Sequence, residues 1–133
     1  MVRAPYVCER IAQAPFAVFN PEKNHSDSEI LKSQEWIEDN YRKSVNLDVL
    51  AKTAGMSLRQ FNRRFKSATG ETGIKYLQLV RVEAAKMDLI NTDQSFEDIS
   101  QNVGYENVSF FRRVFKSNTS VTPLVYRQRF SQI

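Results

Sequence analysis

The sequence predicts an all-α fold of about seven helices, arranged as two helix-turn-helix subdomains joined by a long linker helix. Three observations carry this prediction. The stretch "FNRRFKSATG" returns as "FRRVFKSNTS", with Phe61, Arg63, Phe65, Lys66, Ser67 and Thr69 recurring at positions 111, 113, 115, 116, 117 and 119, always at an offset of 50. A period of that size marks a duplicated supersecondary unit. No segment of useful length alternates with the period of two that a half-buried strand needs. Finally, capping residues and glycines punctuate the chain at helical lengths.

The elements follow in order. Residues 1–26 hold three of the four prolines and show no helical period, and so read as an extended tail or interdomain linker. Ser26 or Asp27 is placed to cap a helix through about Tyr41, with Ile30, Ile37 and Tyr41 on one face. Asn46 caps "LDVLAKTA", which stops at Gly55; Ser57 caps Leu58 to about Ala68, which stops at Gly70. Thr72 opens a long helix over about 73–91, rich in strong helix formers. Ser95 caps "FEDISQNV", ended by Gly104, and Asn107 or Val108 begins a helix to about Asn118. Thr122 with Pro123 is an N-cap followed by proline at the first helical position. The first helix-turn-helix thus spans about 46–68 and the second about 95–118, inside a domain of residues 27–133.

Composition narrows the function. The chain has 133 residues and a formal net charge of +4. Residues 1–43 carry 6 Lys/Arg against 7 Asp/Glu, and 44–133 carry 13 against 8, so the repeat region holds a net +5. A local basic excess favours a polyanionic partner. The single cysteine, Cys8, excludes an internal disulfide framework and a cysteine-rich zinc site, and has no His beside it to make it a nucleophile. His25 stands without spaced ligands and reads as a surface residue; no metal, cofactor or catalytic residue is expected. No apolar run reaches the ~18 residues of a membrane span, and the N-terminus lacks a signal-peptide core, so the expected compartment is the cytoplasm.

The faces of the second helix of each pair suggest their task. Leu58, Phe61 and Phe65, like Val108, Phe111 and Phe115, form apolar stripes that should face the core. The opposite faces are polar, and neither helix contains an acid. The candidate DNA-binding set is Ser57, Arg59, Gln60, Asn62, Arg63 and Lys66 in the first copy, and Asn107, Ser109, Phe110, Arg112, Arg113 and Lys116 in the second. Arg and Asn suit base edges, while Lys and Ser hold phosphates. Phe110 sits one residue off its stripe and reads either as half-buried packing or as a contact to a thymine methyl group.

"GYENVSFFRRVFKSNTSVTPLVYRQ" resembles the signature of the AraC/XylS transcription regulators, through Gly104, Tyr105, Asn107, Ser109, Phe111, Arg113, Phe115, Lys116, Thr122, Pro123, Tyr126 and Arg127. "LAKTAGMSLRQFNRRFKSATG" and "YLQLVRVEAAKMDL" match the first half, so the resemblance spans about 30–130. Ser120 stands where the family usually has glycine, and Gly73 where the first repeat often has proline. The resemblance implies sequence-specific binding of double-stranded DNA as a transcriptional regulator, with both recognition helices in successive major-groove segments. RNA polymerase and an upstream sensor or dimerisation domain are the further partners it implies. "APYVCERIAQAPFAVF" is similar to the join between a PfpI-like, amidase-related domain and its AraC-type module in one branch.

Three other readings are open to these residues. A helical protein-interaction module would not need two acid-free basic faces at identical offsets, and should show no salt-sensitive DNA binding. A non-specific architectural DNA-binding protein would favour Lys-rich faces, whereas these carry Arg and Asn. A DNA-repair methyltransferase would require a Pro-Cys and His context that Cys8 lacks.

Overall fold

The computed structural model describes residues 25–131. Their regular structure is seven helices: α1 (Ser28–Asn40), α2 (Leu47–Thr53), α3 (Leu58–Thr69), α4 (Gly73–Asn91), α5 (Phe96–Asn102), α6 (Val108–Thr119) and α7 (Pro123–Phe130). Apart from its last two residues, the segment expected as a tail lies outside the described residues, and Cys8 with it.

Each helix starts where a short polar side chain takes up an orphan N–H of the first turn. Asp27, rather than Ser26, caps α1, and Asn107 caps α6; Asn46, Ser57, Thr72, Ser95 and Thr122 cap the others. The stops are equally local. α3 ends at Gly70 with φ 88°, and α6 ends at Ser120 with φ 68°, so the missing family glycine leaves the left-handed cap intact but occupied by serine.

The repeat is deeper than the two recognition helices. Tyr76 in the first turn of α4 meets Phe65 edge-on at 5.3 Å, and Tyr126 in α7 meets Phe115 edge-on at 5.7 Å. Thr69 and Thr119 likewise bond back to the carbonyls of Phe65 and Phe115, each at 2.8 Å. Each subdomain is therefore a three-helix unit, α2–α3–α4 and α5–α6–α7, and α4 begins as the third helix of the first. Phe61, Phe65, Phe111 and Phe115 are fully buried, as the stripes predict. Leu58 departs from its stripe: it is the first residue of α3 and is 38% exposed, because the helix meets the core only from Phe61 onward.

α4 is the spine. Tyr76, Leu77 and Val80 lie in the first core, whereas Val82, Ala85 and Leu89 lie in the second. Its 19 residues span about 28 Å at 1.5 Å per residue. Between the two cores Arg81 is buried, and its guanidinium donates to the carbonyls of Tyr41 at 2.8 Å and Lys43 at 2.9 Å. The same group lies 4.7 Å from the centre of the Tyr105 ring. Lys75 adds a second tie, donating to Asn118 of α6 at 2.7 Å. α1 is pinned in turn by Asp27, whose carboxylate takes a two-pronged bond from Arg64 of α3 at 2.8 and 3.1 Å. His25 differs from its expected surface role: it is half-buried, its Nδ1 accepts from the Asp27 N–H, and its Nε2 bonds to Gln34 at 2.8 Å.

Gly104 and Gly55 have φ of 107° and 77°, but only Gly104 is crowded. A Cβ on it would stand 2.6 Å from the Tyr41 carbonyl oxygen and 2.8 Å from the Arg81 guanidinium; none of this surrounds Gly55. Gly55→Ala should cost about 1 kcal/mol for its left-handed backbone. Gly104→Ala should cost about 1–3 kcal/mol more, because it also pushes the two subdomains apart. Denaturant unfolding of the two variants measures the difference, and equal losses would show that the Gly104 contact carries no stability.

On α4, the Glu83 carboxylate accepts from Lys86 at 2.7 Å, both side chains being buried, while Glu83 Oε1 has no hydrogen-bond partner among the described residues. Burial pushes the Glu83 carboxyl up to about 7 against the pull of Lys86. Its folded value lies above the ~4.3 of an unfolded chain. The stability that proton supplies is therefore complete below about pH 4 and is lost as pH rises toward 7. Glu83→Gln should abolish that part of the decline between pH 5 and 7, as read from denaturation midpoints; parallel pH profiles for variant and wild type would refute it.

Candidate nucleic-acid interface

The two recognition helices, α3 and α6, are built alike and dressed differently. The phenylalanines sink one face of each into its core, which turns the basic face outward. Arg59, Arg63 and Lys66 are exposed on α3, and Arg112, Arg113 and Lys116 on α6. Among the described residues none of these six cations forms an ion pair with a carboxylate. Arg64 is the exception on α3, diverted to Asp27, and its counterpart Val114 is buried. Hydrogen bonding by Arg64 in turn holds the Asp27 carboxyl below the usual carboxylate range.

The other candidates fall into three situations. Ser57 and Asn107 are exposed at the caps, each using its side-chain oxygen on the backbone N–H three residues on, which leaves the hydroxyl proton and the amide NH₂ to donate. Ser109 is exposed and Gln60 half-buried. Asn62 is half-buried too, and its carbonyl oxygen accepts from the Gly73 N–H at 3.4 Å. A proline at 73 would have no N–H for that bond, so the residue that departs from the family pattern fixes the Asn62 side chain against the start of α4.

Three exposed pairs on the two helices keep their identity across the repeat, Arg63 with Arg113, Lys66 with Lys116 and Ser67 with Ser117, and the first two are cationic. The second helix adds aromatic support that the first lacks. Arg113 lies 5.8 Å from the centre of the Phe110 ring, and Arg112 lies 5.4 Å from that of Phe96. Phe110 is 40% exposed. The rings come from substitution, Phe96 standing where the first copy has Leu47 and Phe110 where it has Gln60, and the turns differ too: one residue, Met56, separates Gly55 from the first cap, whereas Tyr105 and Glu106 separate Gly104 from the second. The extra residue, Glu106, shifts the repeat offset from 49 before the turn to 50 after it, while Tyr105 takes the place of Met56 and sets its ring beside Phe110. Sequence reasoning missed Arg64, Arg81 and Lys75, since their partners lie 37, 40 and 43 residues away.

A family model described as a helix-turn-helix domain matches residues 50–129, from α2 to the end of α7. The chain belongs to the AraC/XylS helix-turn-helix family. Among its relatives in this family, the regulatory protein SoxS of Salmonella typhimurium is 34% identical over 95 residues, 71% of this chain and 89% of its own. The transcriptional activator NphR of a Rhodococcus species is 36% identical over 110 residues, 82% of this chain and 32% of its own. AdaA of Bacillus subtilis, a bifunctional transcriptional activator and DNA repair enzyme, is 38% identical over 94 residues, which make up 44% of its length. This chain therefore spans about a third of NphR and under half of AdaA. The DNA-binding domain of AdpA, a global transcriptional factor solved in complex with a target DNA, superposes with a TM-score of 0.71 at 27% identity, over 76% of this chain and 91% of that one. No described helix is long and apolar enough to cross a membrane.

Proposed function

We propose that residues 27–133 are the DNA-reading domain of a transcriptional regulator. The domain binds double-stranded DNA sequence-specifically, with α3 and α6 in successive major-groove segments. The observation that carries this reading is the pair of acid-free helices, each showing Arg and Lys at matching positions with no carboxylate partner among the described residues, held at a fixed separation by α4. The AdpA complex supports it, since a domain of the same architecture is seen on its target DNA. Arg63 and Arg113 read base edges, and so do Arg59, Gln60 and Arg112, while Asn62, its oxygen held by the Gly73 N–H, has only its amide NH₂ to offer; Lys66, Lys116, Ser57, Asn107 and Ser109 hold phosphates. Phe110 is the apolar contact of the second block.

In the whole regulator this domain works in the cytoplasm beside RNA polymerase and follows an upstream sensor or dimerisation domain. The partial coverage of NphR supports the last of these. The domain is a binding module and not an enzyme, a reading supported by a match confined to the helix-turn-helix region even in AdaA.

Selection of bound duplexes from a random pool tests the reading. Two preferred blocks about one helical turn, roughly 34 Å, apart are expected; a single block, or none, would sink two-helix recognition. Affinity for the selected site should fall steeply with salt, by a log-log slope of about 0.9 per phosphate contact. An affinity that stayed flat from low to physiological salt would reduce the basic faces to solvated surface.

Arg63→Ala and Arg113→Ala should each change folding stability by about 0.5 kcal/mol or less, because both side chains are exposed. Each should weaken DNA binding by about 1–3 kcal/mol, relaxing base preference in one block only. Loss of affinity by the same factor on every sequence would make them phosphate contacts instead.

A further inference from the structure

We propose that Phe110 and Arg113 form one composite reader, which recognises a thymine methyl group and a guanine in neighbouring base pairs. The inference rests on the DNA-binding reading above and goes on to name the base pattern that the second recognition helix selects.

The two side chains are one turn apart on α6. Three residues of helix rise about 4.5 Å, comparable with the ~3.4 Å step between base pairs, so groups at this spacing meet consecutive pairs. Their contact fixes them as a unit: the Arg113 guanidinium lies 5.8 Å from the Phe110 ring centre. The ring is supported from behind by Tyr105, at 5.8 Å between centres. Tyr105 is itself stacked on buried Phe111 at 4.6 Å and covered by Arg81 at 4.7 Å. A continuous file of cation, ring, ring and cation therefore runs from the buried Arg81 to the exposed Arg113. Phe110 is held in position, yet 40% of it faces solvent.

Chemistry then selects the ligand. An apolar ring in the major groove gains from a methyl group, and thymine alone of the four bases carries one there. A guanidinium beside it, with no carboxylate partner among the described residues, matches the paired acceptors O6 and N7 of guanine. The first recognition helix cannot do the same, since Gln60 stands at the position equivalent to Phe110, and among the described residues no ring lies beside Arg63. The methyl-and-guanine pattern belongs to the second block alone.

The test uses the duplex selected from the random pool. Each thymine of the second block is replaced singly by deoxyuridine, which removes the methyl group and leaves the hydrogen-bonding edge unchanged. Each guanine is replaced singly by 7-deazaguanine, which removes the N7 acceptor. For the wild-type chain, one uracil should weaken binding about fourfold, the value of one buried methyl. A 7-deazaguanine in an adjacent pair should weaken it about tenfold. Phe110→Gln, which copies the first helix, and Phe110→Ala should bind thymine and uracil duplexes equally; Arg113→Ala should be indifferent to 7-deazaguanine. Melting temperatures near wild type show that these variants of exposed positions are folded. The composite reader is overturned if no thymine of the second block responds, if the response persists in both Phe110 variants, or if the responsive thymine and guanine are not neighbours. Those outcomes leave sequence-selective binding standing. Equal affinity for the selected and a scrambled duplex would instead remove the DNA-binding reading itself.

Discussion

The rest of the structure depends on the buried guanidinium of Arg81. α4 contributes to both cores, but a helix shared by two small units fixes their separation without fixing how the second is turned about it. Arg81 supplies the missing constraint. It donates to the carbonyls of Tyr41 and Lys43, at the end of α1, and covers Tyr105 in the second turn. A lysine would carry the charge but lacks the planar fork that reaches two carbonyls while stacking on a ring. The crowding of Gly104 belongs to the same contact, for only a residue without a side chain lets the second turn approach so closely. Two recognition helices that must meet DNA in one register need such a rigid joint, since a small error at the joint grows along the arm.

Duplication set the plan, and the divergence between the copies divides their work. The pattern of phenylalanine, threonine and tyrosine persists through the second and third helices of each unit, because its rings pack the core. Positions outside the core have drifted, with Arg59, Gln60 and Asn62 corresponding to Ser109, Phe110 and Arg112 across the repeat. The second turn differs most. Tyr105 stands where the first turn has Met56, their N–H groups donating alike to the carbonyls of Ser100 and Ala51, and it supplies both the contact to Arg81 and the support behind Phe110.

The charges of the molecule do two different jobs. The exposed cations of α3 and α6 lack internal partners among the described residues, which leaves them available to a polyanion. The inner charges are occupied: Arg64 holds Asp27, Arg127 reaches the carbonyls of Leu89, Thr92 and Gln94, and Lys86 holds Glu83. The last pair is costly, because a carboxylate with one orphaned oxygen has given up water for a single partner. Its place in the middle of α4 makes the spine sensitive to pH near neutrality.

The sequence by itself determined the helices, their caps and the buried aromatic stripes. These are local matters: a capping oxygen acts within three residues, and an amphipathic face is written at a spacing of three and four. The basic faces were legible for the same reason, since their residues belong to single helices. Only the tertiary structure decided which charged residues leave those faces. Arg64 looks like its neighbour Arg63 in the sequence, yet it turns to Asp27 because α1 packs against that side of α3. Asn62 is tied to Gly73, His25 to Gln34, and Arg81 to the end of α1, while Leu58 lies outside the core that its spacing predicts. Polar partners from 9 to 40 residues away leave no periodic trace in a single chain. They exist because close packing of the helices brings particular donors and acceptors within the narrow range of a hydrogen bond, and only the packed fold fixes which ones.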